Sequence, residues 1–292
     1  WIFRSISCLL SCCRGRFLVR IRKRRLGRTN LWVSEVGLGA MDTPRSPDGA
    51  ATIRSALEVG INFIDTAREY DGSEFLIGQV IQAGLSPGVY LETKTFARDM
   101  DACQHAVDRS LAVLGVKQID IYQLHDVSTL DHWRQVMRDD EGALAGLKIA
   151  RARGLINYVG ISSHNSEVLR LAIASNEFDV IMVEYSAFFR ESEWVIELAQ
   201  EKDIGVIAMR PLGGSGRMSA MKTMKRDRSE QIGLSPGMLL GYVLSNPLLS
   251  LAIPGVSHPS RILENADLPS SYVDMDLATK RECERLACEF MA

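Results

Sequence analysis

The chain has 292 residues, 46% of them hydrophobic and 24% charged, the profile of an ordinary globular protein. No apolar run approaches the ~18 residues that suggest a membrane span, so a soluble body is expected. The formal net charge is −2, yet residues 1–25 carry eight basic groups (Arg4, Arg14, Arg16, Arg20, Arg22, Lys23, Arg24, Arg25) and no acid, which leaves about −10 on the remainder by difference. An acidic body argues against a nucleic-acid partner, whose phosphates need a basic face.

Residues 1–24 are therefore set apart as a basic extension, and 25–292 as one folded unit. The extension has three readings: a targeting remnant, a solvated tail, or upstream sequence foreign to the native protein. No role is assigned to it. Of the six cysteines, Cys8, Cys12 and Cys13 lie in the extension, and Cys103, Cys283 and Cys288 follow at no metal-binding spacing. A reduced, cytoplasmic protein without a metal is expected.

From residue 36 onward, β-branched apolar runs alternate with amphipathic stretches. Strands are expected at 36–41, 62–66, 89–95, 119–125, 158–162, 180–185, 205–209 and 249–253. Helices are expected near 48–59, 72–84, 99–114, 140–153, 165–175, 191–202, 236–246 and 258–266, with a terminal helix within 270–292. In the helix over 99–114, Ala102, Ala106, Arg109, Leu111, Val113 and Leu114 recur at three and four residues and predict one buried stripe. Ser257 before Pro259 reads as a cap opening the last barrel helix. The longest connection, 211–235, is rich in Lys and Arg and of a length usually reserved for functional loops.

Eight strand–helix units with short connections imply a closed α/β (β/α)₈ TIM barrel. The rival, an open doubly wound sheet, calls for G-x-G-x-x-G after its first strand, and neither Gly37-Leu-Gly39 nor Gly213-Gly214-Ser-Gly216 fits that pattern.

Three strings close successive strands: Asp65-Thr-Ala-Arg-Glu-Tyr70, Leu91-Glu-Thr-Lys94-Thr and Tyr122-Gln-Leu-His125. They bring an acid, a phenol, an amine and an imidazole to the C-terminal mouth of the barrel. A free phenol ionises near pH 10, and a neighbouring ammonium lowers that value, so Lys94 is expected to make Tyr70 more acidic. Asp65 would pair with Lys94, and His125 would donate a hydrogen bond to a substrate oxygen. Such a site suits protonation of a carbonyl oxygen, with hydride supplied by a cofactor because no side chain donates one. Taken singly, each residue has a plainer reading: a helix cap for Asp65, a packing ring for Tyr70, a surface or Schiff-base amine for Lys94, a structural His125. Their joint placement favours chemistry.

From about Arg25 to Asn265 the sequence resembles the aldo-keto reductase superfamily, in its bacterial-type branch. The likeness rests on Arg25-Leu-Gly-Arg-Thr, Val33-Ser-Glu-Val-Gly-Leu-Gly39, the stretch from Gly60 to Tyr70, Lys94, His125, Gly154 through Ser162-Ser-His, and Pro211-Leu-Gly213. It implies an NADPH-dependent reductase of aldehydes and ketones, releasing NADP+, with Asp65, Tyr70, Lys94 and His125 as the catalytic tetrad. The nicotinamide would lie in the mouth beside Gly39, Asp65, Ser162, Met182 and Met209. The loop of Arg210, Pro211, Leu212, Gly213 and Gly216 would follow the pyrophosphate, with Arg217 as a further basic group. Pro254, Arg261, Glu264 and Asn265 would hold the 2′-phosphate and adenine; a surface ion pair at i, i+3 is the plainer reading of Arg261 and Glu264.

This chain departs from many members in having Ser163 for Asn, Met182 for Gln, Met209 for an aromatic ring and Gly255 for a basic residue. Some members of this branch carry an iron–sulfur cluster after the barrel; Cys283 and Cys288 are too few for one, so the module is expected to be lacking or cut off. The expected partner is a small carbonyl compound, neither nucleic acid nor membrane. Two alternatives remain at this point: a nucleotide-binding redox-sensing subunit, and a Schiff-base enzyme using Lys94.

Overall fold

The computed structural model describes residues 21–84, 88–214, 233–272 and 275–291, with the side chains of 268–272 excepted. Residues 1–20 and most of the basic loop, including Gly216 and Arg217, lie outside the described residues. The chain opens with a short hairpin, β1 (Lys23–Arg25) antiparallel to β2 (Trp32–Ser34). The barrel strands follow as β3 (Leu38–Gly39), β4 (Phe63–Asp65), β5 (Tyr90–Thr95), β6 (Ile119–Leu124), β7 (Ile156–Ser163), β8 (Val180–Glu184), β9 (Gly205–Met209) and β10 (Leu251–Ile253). They pair in parallel and in chain order.

The first and last strands meet to close the ring. Val36 bridges Ala252 and Gly39 bridges Gly255. Across that seam the Gly37 amide donates to the Ala252 carbonyl at 2.8 Å, and the Ala252 amide to the Glu35 carbonyl at 2.9 Å. A Cβ on Gly39 would stand 2.9 Å from the Ile253 carbonyl oxygen, so the seam itself demands glycine there. The expected eight-stranded barrel is thus the observed one.

Helices α1 (Gly49–Glu58), α2 (Ser73–Gln82), α3 (Met100–Leu114), α5 (Ala143–Ala152), α6 (Ser166–Ser175), α7 (Glu193–Glu201), α8 (Pro236–Leu244) and α9 (Pro259–Tyr272) fall within a few residues of their expected positions, apart from α9, which runs further. Two caps explain sharp starts: Asp99 accepts from the Ala102 amide at 2.9 Å, and Ser235 from the Met238 amide at 3.1 Å. A further short helix, α4 (Leu130–Val136), occupies part of the stretch after His125, and α10 (Leu277–Met291) is the terminal helix. The buried face of α3 differs from the expected stripe: Cys103, Val107, Ser110 and Leu114 are covered, while Ala102 and Arg109 are exposed. Alanine carries too little apolar area to set a helix's phase; Val107 and Leu114 set it.

Inside the ring, Phe63, Ile121, Val180, Met182, Ile207, Leu251 and Ile253 pack together, with Leu26 and Val33 of the hairpin flooring them. The turn before β2 approaches so closely that a Cβ on Gly27 (φ +46°) would lie 2.2 Å from the Gly205 amide nitrogen. No helix among the described residues is long and apolar enough to cross a membrane.

The hairpin is tied on by charge. Glu35, fully buried, accepts two hydrogen bonds from Arg22 and one from Arg24, each 3.0 Å. Arg24 also donates to the carbonyls of Leu244, Asn246 and Leu249 behind α8. Arg22 and Arg24, grouped by composition with the basic extension, are therefore fastened to the barrel. Glu35→Ala leaves these guanidinium groups without their anion. We expect a loss of about 2–3 kcal/mol in urea unfolding, below the range for a fully buried pair because Arg22 is partly solvated. Arg25→Ala, which removes a surface pair with Asp203, should move the midpoint far less. Equal effects would contradict this role for Glu35.

Candidate active site

Each tetrad residue expected from sequence sits at the C-terminal end of its strand. Asp65 ends β4, Lys94 is the penultimate residue of β5, and His125 follows β6. After Asp65 the backbone keeps pairing with β5, the Thr66 amide donating to the Glu92 carbonyl and the Arg68 amide to the Lys94 carbonyl, both at 2.9 Å. A tight turn then carries Tyr70 back over the mouth, with its amide on the Ala67 carbonyl at 3.1 Å. The start of α2 braces that turn. Arg68 pairs with Glu74, whose other oxygen accepts from Thr93 Oγ1 at 2.8 Å, and Thr66 Oγ1 bonds Ser73 Oγ at 2.7 Å.

Lys94 is 1% exposed and its ammonium pairs with Asp65. It also donates to the Thr66 carbonyl at 2.8 Å and lies 3.5 Å from Glu92 Oε1. Burial disfavours the charged amine, but Asp65 and then Glu92 outweigh it and push the Lys94 pKa up. A lysine held this firmly as an ammonium is a poor Schiff-base nucleophile, which removes support for that alternative. Burial, then Asp65, pushes the Glu92 pKa well above the ordinary carboxylate value, against the pull of Lys94.

The Lys94 nitrogen stands 5.2 Å from the centroid of the Tyr70 ring, and the Tyr70 and His125 rings meet edge to face at 5.6 Å. One expectation changes sign. Burial pushes the Tyr70 phenol up more than the Lys94 ammonium pulls it down, and Asp65, Glu92 and Glu69 add to the rise, to about 12. Spacing along the chain shows the cation but not the burial and the three carboxyl groups around the phenol. Tyr70 thus carries its proton at neutral pH, as a donor must.

His125 has a partner that sequence reasoning missed. Its Nδ1 is 3.1 Å from Glu69 Oε2, and the other Glu69 oxygen accepts the Phe96 amide at 2.8 Å. The Phe96 ring stacks on the imidazole at 4.3 Å. Glu92 was equally missed, although its spacing of two from Lys94 in a strand puts both on one face.

The remaining expected residues spread around the same mouth. Ser162 Oγ accepts the Asp126 amide at 2.9 Å and keeps its own proton to donate. Met182 is enclosed in the inner cluster, whereas Met209 is half-buried at the end of β9. Arg210, in a left-handed turn (φ 52°), reaches Glu184 at 3.2 Å, and Glu184 also meets His164 Nδ1 at 2.8 Å. Pro211 and Gly213 are buried, Leu212 partly so, and Pro254 is buried after β10. Arg261 and Glu264 form an exposed pair at 2.5 Å in the first turns of α9, with Asn265 largely buried beside them.

The model of the aldo/keto reductase family matches residues 35–236. A curated relative, the uncharacterized oxidoreductase YqkF of Bacillus subtilis, is 30% identical over 284 residues, covering 84% of this chain and 90% of that protein. The uncharacterized oxidoreductase C215.11c of Schizosaccharomyces pombe is 28% identical over 178 residues, 60% of this chain and 55% of its own. Among solved structures, aldo-keto reductase AKR11C1 from Bacillus halodurans in its holo form superposes with a TM-score of 0.77 at 23% identity, covering 91% of this chain and 96% of that one. The matched span contains all four residues of the mouth constellation and the strands that carry them, and on that ground the chain belongs to the aldo/keto reductase family of oxidoreductases.

Proposed function

We propose that this chain reduces the carbonyl group of small aldehydes or ketones to alcohols, with NADPH as the reductant and Tyr70 as the general acid. The observation that carries the reading is the convergence of a protonated phenol, a buried ammonium and an imidazole within a few ångströms at the barrel mouth. The donor set suits a phosphorylated dinucleotide. Two exposed guanidinium groups, Arg210 and Arg261, stand on the β9 and β10 side for its phosphates, and Met209 offers a polarisable face to a flat ring. Ser162 would hold the carboxamide through its hydroxyl proton. When bound, the nucleotide supplies hydride to the carbonyl carbon.

The protein's own part is the proton and its placement. Tyr70 donates to the carbonyl oxygen as negative charge grows there. Lys94 stabilises the phenolate that Tyr70 leaves behind, and Asp65 fixes Lys94 in place. Proton donation of this kind is worth about 10²–10⁴-fold in rate. The free thiols of Cys103, Cys283 and Cys288 suit a reducing compartment, and we assign the enzyme to the cytoplasm.

Tyr70→Phe should lower carbonyl reduction by about 10²-fold or more while NADPH affinity stays close to that of the unaltered chain. Retained turnover would remove the general-acid assignment. Arg261→Ala should weaken NADPH much more than NADH, measured by fluorescence titration, because only NADPH carries the 2′-phosphate. Equal losses would contradict the phosphate role.

A further inference from the structure

An imidazole can serve a carbonyl oxygen only as a hydrogen-bond donor, and which ring nitrogen carries the proton decides whether it can. Both oxygens of Glu69 are committed, Oε1 to the Phe96 amide at 2.8 Å and Oε2 to His125 Nδ1 at 3.1 Å. The carboxylate is therefore fixed in orientation by backbone, and the stacked Phe96 ring holds the imidazole plane at 4.3 Å and 15°. A carboxylate accepts and cannot donate, so in the neutral ring the proton belongs on Nδ1. Nε2 is then the ring's remaining polar atom, without a partner among the described residues, and carries a lone pair.

We infer that Glu69 is a positioning residue that locks His125 in its Nδ1–H tautomer, so that Nε2 donates to a carbonyl oxygen only when the ring is an imidazolium and accepts from an alcohol when it is neutral. The inference rests on the carbonyl-reductase reading and deepens it. One hydride and one proton convert carbonyl to alcohol. Tyr70 supplies that proton, and His125 contributes a hydrogen bond whose direction depends on pH.

The groups around the ring bear on its titration. Burial lowers the imidazole pKa most, Glu69 raises it, Lys94 lowers it and Asp65 raises it, leaving it below the ordinary value. Tyr70 faces it edge-on, and Arg98 donates to the carbonyls of His125 and Asp126 at 2.8 and 2.9 Å from behind. Glu69 itself, disfavoured as an anion by burial, is brought below the usual carboxylate range by the His125 and Phe96 hydrogen bonds, so the acceptor stays ionised.

Reduction assisted by the imidazolium falls as pH rises through the ring's pKa. Glu69→Gln offers one acceptor oxygen where two are used; the Phe96 amide takes it and the side-chain NH2 meets Nδ1 as a donor, so the neutral ring is driven to Nε2–H and its rate no longer follows the imidazolium. Glu69→Ala frees the tautomer, and the neutral ring can then present Nε2–H, so the decline disappears there too.

Two-bond proton–nitrogen spectra of the full chain labelled with ¹⁵N-histidine read the tautomer without reference to turnover. The five histidines are separated by loss of the His125 signals in His125→Gln. We expect Nδ1–H in the unaltered chain and Nε2–H in both Glu69→Gln and Glu69→Ala, with the fall in kcat/KM for aldehyde reduction as pH rises kept in the first and lost in the two variants. Nε2–H in the unaltered chain, or an unchanged tautomer in Glu69→Ala, overturns the inference. A chain that reduces no carbonyl fails the reductase reading instead, and the spectra still decide the tautomer.

Discussion

A lysine ammonium buried at the neck of a barrel can exist only if anions and carbonyls replace its lost water. Lys94 meets that requirement with the Asp65 carboxylate, the Thr66 carbonyl and the nearby Glu92 carboxyl. Two ionised carboxylates around one ammonium would leave a buried negative charge. Burial and Asp65 raise the Glu92 pKa well above the ordinary carboxylate value, which works against that excess. The contacts exist because β4 and β5 pair in the register that sets Asp65 against Glu92, and because ring closure holds that register around eight strands. Strand pairing, seam glycine and buried charge thus form one connected constraint.

From that cluster the mouth is built outward. The Asp65–Tyr70 turn continues the β5 ladder before doubling back, so the tyrosine is placed by the same backbone hydrogen bonds that place the lysine. On the far side, Glu69 and Phe96 hold His125 from two adjacent loops. The Tyr70 and His125 rings therefore have separate supports. One is anchored below through a buried cation, the other at the rim through a partly solvated carboxylate.

The eight strands, and the placement of Asp65, Lys94 and His125 at strand ends, were legible because β-branched runs and their polar terminal residues leave a local imprint. The hairpin of Lys23–Arg25 and Trp32–Ser34 was not, since three-residue strands with one covered face show no periodicity. The phase of α3 was misread for want of weight on its large side chains. The rise in the Tyr70 pKa needed the burial and the neighbouring carboxyl groups together, and neither is a property of spacing. Glu69 lies beside Tyr70 in the string that carries two tetrad members, yet its pairing with a residue fifty-six positions away appears only once β4, β5 and β6 are side by side. The cofactor-side assignments rest on resemblance, and Met182 among them is enclosed in the inner cluster.

In the proposed reading, the buried cation sustains proton transfer to a carbonyl oxygen. The most direct measurement is the loss of NADPH absorbance on adding a panel of aldehydes to the purified chain, made in parallel with Lys94→Met. Turnover is expected in the unaltered chain, and nucleotide binding with turnover reduced at least a hundredfold in the variant, on the order of the contribution expected of acid catalysis. Equal rates in the two, or no absorbance loss with any aldehyde in the unaltered chain, would contradict it.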